Sequence, residues 1–129
     1  MKGPTFRPRK LLEINAAYEA FVAAGFPVTL GGNAETLQVA RDVDRTNWLT
    51  VQGIALRQIA AGNGDGETFV QATSNRRYVV TYTEQLAIID ALTAWGLAAW
   101  VNWNALKDAA RAATTNAELQ AIDPTEGYP

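Results

Sequence analysis

Apolar side chains recur every three or four positions near the start of the chain, where Leu11, Leu12, Ile14, Tyr18, Phe21 and Val22 draw one stripe. That period is the mark of an amphipathic helix. Pro8 suits a first helical turn, Gly25 a left-handed cap, and Pro27 blocks resumption, so the helix is predicted over Arg9–Ala24. The period then falls to two. Val28–Leu30 and Thr36–Val39 are β-type runs around Gly31-Gly32-Asn33, a hairpin whose register the pattern leaves open. Leu37 and Val39 alternate with Thr36 and Gln38, so one face of the second strand is expected to be covered.

A second helical pattern opens at Asp42 or Asp44 and carries Val43, Leu49, Val51, Ile54, Leu56 and Ile59 as far as Gly62. A second hairpin follows, with strands Thr68–Gln71 and Tyr78–Tyr82 and a reversal at Ser74–Arg77. The four short strands are expected to share one small antiparallel sheet. From Thr83, read as an N-cap with Glu84 behind it, the pattern is helical for about 30 residues, a rod of about 45 Å. Ile88, Leu92, Trp95, Ala99, Trp103, Leu106 and Ala110 form its stripe. Gly96 lies mid-rod and permits either a close neighbour or a bend. Thr115 and Glu118 match a capping box that starts a short helix to Ile122.

The order helix, hairpin, helix, hairpin, long helix, short helix defines an α+β fold: a small antiparallel sheet packed with three helices, closing in a helical hairpin. The expected division is an extended basic segment over residues 1–10, a single domain over 11–123 and a C-terminal tail over 124–129. At about 100° per residue Trp100 lies about 140° from Trp95, off the main stripe. Either another element of the chain covers it or a partner does. The alanine-rich end, Ala105–Ala113, suits a helix hairpin or a multi-chain bundle equally.

The 129 residues hold no cysteine and no histidine, which removes disulfides, thiolate and imidazole catalysis, and zinc sites built from those ligands. The only serine, Ser74, therefore has no histidine to activate it. Asp42 with Asp44, and Asp65 with Glu67, are carboxylates close in sequence, but Arg41, Arg45, Arg76 and Arg77 make them ordinary surface ion-pair partners. Gly62–Glu67 resembles a calcium loop only until the EF-hand spacing is imposed, when Ala61 and Ala72 would have to be ligands. No catalytic residue, cofactor or metal is expected, and the protein reads as a non-enzyme. No run approaches the roughly 20 apolar residues of a membrane span, and the start of the chain lacks the apolar core of a signal peptide.

Eleven basic residues against 13 acidic ones, a formal charge of −2, argue against nucleic acid as a partner. The cations Lys2, Arg7, Arg9 and Lys10 gather near the N-terminus with Phe6 as their single aromatic neighbour. Phe6, Arg7 and Arg9, together with Trp100, are the expected protein-contact residues.

The succession Phe26-Pro27-Val28-Thr29-Leu30-Gly31-Gly32, an Asp42-initiated helix, Tyr78-Val79-Val80-Thr81-Tyr82-Thr83-Glu84-Gln85-Leu86, and a long alanine-rich helix closing in Thr115-Asn116-Ala117-Glu118-Leu119-Gln120-Ala121-Ile122 resembles the DUF4376 family. The resemblance covers Gly25 to Asp123, with the N-terminal helix outside it. It implies a bacteriophage protein of the virion tail, assembled in the host cytoplasm and joining the tail tip, baseplate or fibres. Its implied partners are other tail or fibre proteins, with homo-oligomerisation left open. The alternatives are a tail-fibre assembly chaperone and a carbohydrate-binding tail-tip module using Tyr78, Tyr82 or Trp48.

Overall fold

The computed structural model describes residues 4–129, so the part of the expected N-terminal arm that includes Lys2 lies outside the described residues. The fold is α+β, in the order α1 (Arg7–Ala23), β1 (Phe26–Leu30), β2 (Asn33–Leu37), α2 (Asp42–Ala60), β3 (Glu67–Gln71), β4 (Arg77–Thr81), α3 (Tyr82–Ala112) and α4 (Asn116–Gln120). Two compact units form, Met1–Phe21 with Trp95–Pro129, and Val22–Ala94. The division falls within α1 and within α3.

In the first unit α1, the C-terminal part of α3 and α4 enclose Ile14, Ala110, Ala113 and Leu119, all buried, with Leu11, Trp103, Leu106 and Ile122 packed against them. Leu12, counted in the α1 stripe from sequence, is exposed. The segment expected to run extended through Lys10 is already helical from Arg7. The reason lies in what its cations do. Arg7 donates from Nε to the Ala110 carbonyl (3.2 Å) and from an Nη to the Ala113 carbonyl (2.7 Å), filling acceptors that the end of α3 leaves without helical partners. Lys10 Nζ donates to the Ile122 carbonyl at 2.9 Å. Thr115 caps α4 by accepting the Glu118 amide. The return bond of the capping box goes elsewhere, since the Glu118 carboxylate accepts the amide of Thr114 rather than that of Thr115.

An aromatic stack completes this unit. Trp103 lies flat on Tyr18, centroids 4.5 Å apart and planes 5° from parallel, while Phe21 meets Trp95 at 5.1 Å and Tyr128 at 4.7 Å. Trp103 Nε1 donates to Asn15 Oδ1, and Lys107 Nζ sits 3.4 Å over the Trp103 ring. The expected C-terminal tail is thus partly structural, with Tyr128 in the stack and Asn102 Nδ2 donating to the Glu126 carbonyl. Burial raises the Tyr128 phenol above its ordinary value near 10. In the unfolded chain it ionises first, so its contribution is complete below about pH 10 and is lost as pH rises through the folded value. Tyr128→Phe keeps the ring and removes the ionisation. Urea titrations at about pH 8 and about pH 11 should show a smaller alkaline loss for this variant than for the parent, and equal losses would contradict the assignment.

In the second unit Gly31 and Gly32, both at positive φ, form a two-residue turn that pairs Leu30 with Asn33 and Phe26 with Leu37. The first hairpin therefore begins and ends earlier than the apolar pattern indicated, and Val39 is buried just beyond β2. Arg41 is the N-cap of α2, with its backbone amide donating to the Asp44 carboxylate. Thr81, rather than Thr83, opens α3. It accepts the Glu84 amide while the Glu84 carboxylate accepts the Thr81 amide, leaving the Thr83 hydroxyl to donate to the Gly64 carbonyl. Apart from its own stretch of helix, no atom of the described residues lies within 4 Å of where a side chain on Gly96 would begin, and α3 runs through it without interruption.

The four strands form two separate two-stranded sheets instead of the single sheet expected. The hairpins touch where the Thr73 amide donates to the Thr36 carbonyl at 2.9 Å and the two threonine hydroxyls meet. Beyond that point Gln85, from the first turn of α3, donates its Nε2 to the Phe69 carbonyl. A side chain thus occupies an acceptor that a neighbouring strand would have used.

Candidate interaction face

Between Asp90 and Lys107 the α3 sequence carries no charge. Helical geometry sorts this stretch into two sides. Ala99 is fully buried and Trp95 and Trp103 are half-buried, whereas Leu97 (61% exposed), Trp100 (51%) and Val101 (53%) face outward. Trp100 is therefore left uncovered by the other described residues to half its surface. Three large apolar side chains within five positions, flanked by Ala94, Ala98 and Ala105, make a contiguous apolar strip with a thin alanine margin.

The other residues expected to make contacts are placed differently. Arg7 turns inward onto the end of α3. Arg9 is exposed and pairs with Glu13 at 3.3 Å. Phe6 is partly exposed, and its backbone amide donates to Asn116 Oδ1. Phe6 and Arg9, with Lys10, Glu13, Leu119 and Gln120, line a shallow depression of about 200 Å³. Phe6 and Arg9 thus share one surface, Arg7 is engaged at the end of α3, and Trp100 belongs to a separate stretch of α3.

By length and composition α3 is long and apolar enough to cross a membrane, contrary to the expectation from the apolar runs alone. Its uncharged stretch of about 24 Å falls short of a hydrocarbon core of about 30 Å. Trp100 also sits mid-stretch, away from the ends where membrane-interface tryptophans gather.

Helices, short hairpins and an outward apolar strip define the class as a small α+β module with exposed apolar side chains on its long helix. The chain belongs to the DUF4376 family, a domain of unknown function, whose model matches residues 5–125. The match takes in α1, which the resemblance drawn from sequence had left outside. No curated protein and no solved structure matches the chain.

Proposed function

We propose that this protein is a non-enzymatic structural module of a bacteriophage tail, seated at the tail tip, baseplate or fibre attachment and acting by protein–protein contact. The observation that carries the contact role is the half-exposed Trp100 between Leu97 and Val101 on an uncharged helical stretch. Tryptophan is enriched among the few residues that dominate binding energy. The tail setting rests on the family resemblance and on the protein's own residues, which offer no imidazole or thiol for catalysis.

The test is mass spectrometry of purified virions from the parent phage, paired with a Trp100→Ser variant. The protein is expected in finished particles at stoichiometric levels, and the variant is expected to be depleted from them by tenfold or more while its melting temperature stays within a few degrees of the parent's. Presence in lysate but not in particles would replace the structural role by that of an assembly chaperone. Full incorporation of the variant would remove Trp100 from the interface.

A further inference from the structure

The second unit, Val22–Ala94, contains a cleft of about 340 Å³ lined by Gln38, Asn47, Trp48, Phe69, Gln71 and Gln85, among others. That volume falls in the range of small-molecule sites. The cleft exists because the two hairpins meet at Thr36 and Thr73 and part beyond them. One of its walls is the outer edge of β3.

Which backbone groups that edge offers follows from the pairing. Gly66 accepts from Tyr82, and Ala72 donates to Arg76. With Thr68 opposite Val80 and Val70 opposite Tyr78, the even-numbered residues therefore direct their amides and carbonyls toward β4, and Phe69 and Gln71 direct theirs away. The Phe69 carbonyl is taken by Gln85 Nε2 and the Thr73 amide by the Thr36 carbonyl. Between these two stops the Gln71 N–H and C=O have no hydrogen-bond partner among the described residues. An edge closed at both ends cannot take a through-running polypeptide strand, so its ligand is compact.

The side chains specify the ligand's chemistry. Gln85 is 4% exposed, and its Oε1 has no hydrogen-bond partner among the described residues. The Asn47 carboxamide at the rim makes no hydrogen bond with them either. The Trp48 ring is fixed by donation from Nε1 to the Gln38 carbonyl at 2.9 Å. Asp44, the one acid in the lining, is neutralised by Arg41, whose Nε and Nη lie 3.1 and 2.7 Å from its two oxygens. The lining therefore offers both donors and acceptors beside an aromatic ring, with no free charge. Vicinal hydroxyl groups, each able to donate and accept, match that set. We propose that this cleft binds a neutral saccharide of one or two rings, held by the Gln71 backbone, Gln85 Oε1 and Asn47 and stacked on Trp48.

The site is independent of the Trp100 face and is tested separately. Nitrogen-15 NMR of the full chain would be followed while glucose, N-acetylglucosamine and maltose are added, with glucuronate and dialanine as comparison probes. A neutral sugar is expected to move the Gln71 backbone amide and the Asn47, Gln85 and Trp48 side-chain N–H signals with a millimolar dissociation constant. Asn47→Ala removes no hydrogen bond among the described residues and should weaken binding about fivefold. Movement of these signals by dialanine or glucuronate alone, no movement with any of the three sugars, or equal binding by the folded Asn47→Ala variant would overturn the proposal.

Discussion

Ile14→Ala is expected to destabilise the unit formed by Met1–Phe21 and Trp95–Pro129 by about 2–5 kcal/mol, the range for truncating a fully buried isoleucine. Ile14 has no solvent exposure and packs among Ala110, Ala113 and Leu119. Two of those neighbours are alanines, which have no side-chain torsion with which to refill a void, so the cavity persists. Domains of this size are stable by only about 5–15 kcal/mol, and the loss therefore reaches a large share of the whole. Hydrogen exchange at the end of α3 and through α4 reads it out, because both lose their packing surface. Leu12→Ala is the control: the side chain lies in the same helix two residues away but is exposed, and its expected cost is within about 0.5 kcal/mol. Similar costs for the two variants would mean that α1 buries a different face.

Much of the chain order was legible because its punctuation is local. Gly25 with Pro27, Gly31-Gly32 and Gly62 interrupt the apolar periods, and each of these glycines takes positive φ. The length of α3 followed from its stripe in the same way. What escaped the pattern depends on partners distant in sequence. Arg7 reads as a tail cation until the carbonyls of Ala110 and Ala113 are placed beside it. Tyr128 lies past Pro124, in a segment without periodicity, yet it stacks on Phe21. The separation of the two sheets was hidden for a similar reason. Alternation specifies which face of a strand is covered but not which edge is paired, and the edge of β3 is occupied by Gln85, whose sequence context is that of a helical first turn.

The signal that would have found the cleft was equally diffuse. Gln38, Asn47, Gln71 and Gln85 are ordinary polar residues in four separate segments, and only the fold gathers them around one space. Of the aromatic residues named from sequence as sugar platforms, Trp48 lines that space. Tyr78 is engaged elsewhere, its hydroxyl hydrogen-bonded to the Glu35 carboxylate, which holds that carboxyl below its ordinary range. Trp100 was the easier residue to single out, since an angular mismatch along one helix is a local property.

Gly25→Ala is expected to cost about 2–6 kcal/mol and to disturb the cleft, although Gly25 does not line it. Two penalties coincide at this position. Its φ of +89° is a conformation that residues with a side chain occupy at a cost of about 1–3 kcal/mol. A methyl group there would sit 2.9 Å from the Leu37 carbonyl oxygen and 3.3 Å from Thr36 Cβ, a crowding of the kind that costs a further 1–3 kcal/mol or so. Relief requires β2 to move away from the end of α1, yet Leu37 is fully buried and the Thr36 carbonyl is the acceptor that joins the two hairpins. The shift would therefore reach Thr73 and the adjoining edge at Gln71. Gly32→Ala separates the two penalties, because φ is +79° there but nothing lies within 4 Å of the added methyl, leaving a cost of about 1–3 kcal/mol from backbone strain alone. Urea denaturation should rank the two variants in that order, with the Gln71 amide signal displaced only in Gly25→Ala. Equal losses would show that backbone conformation, and not the approach of β2, makes glycine necessary at position 25.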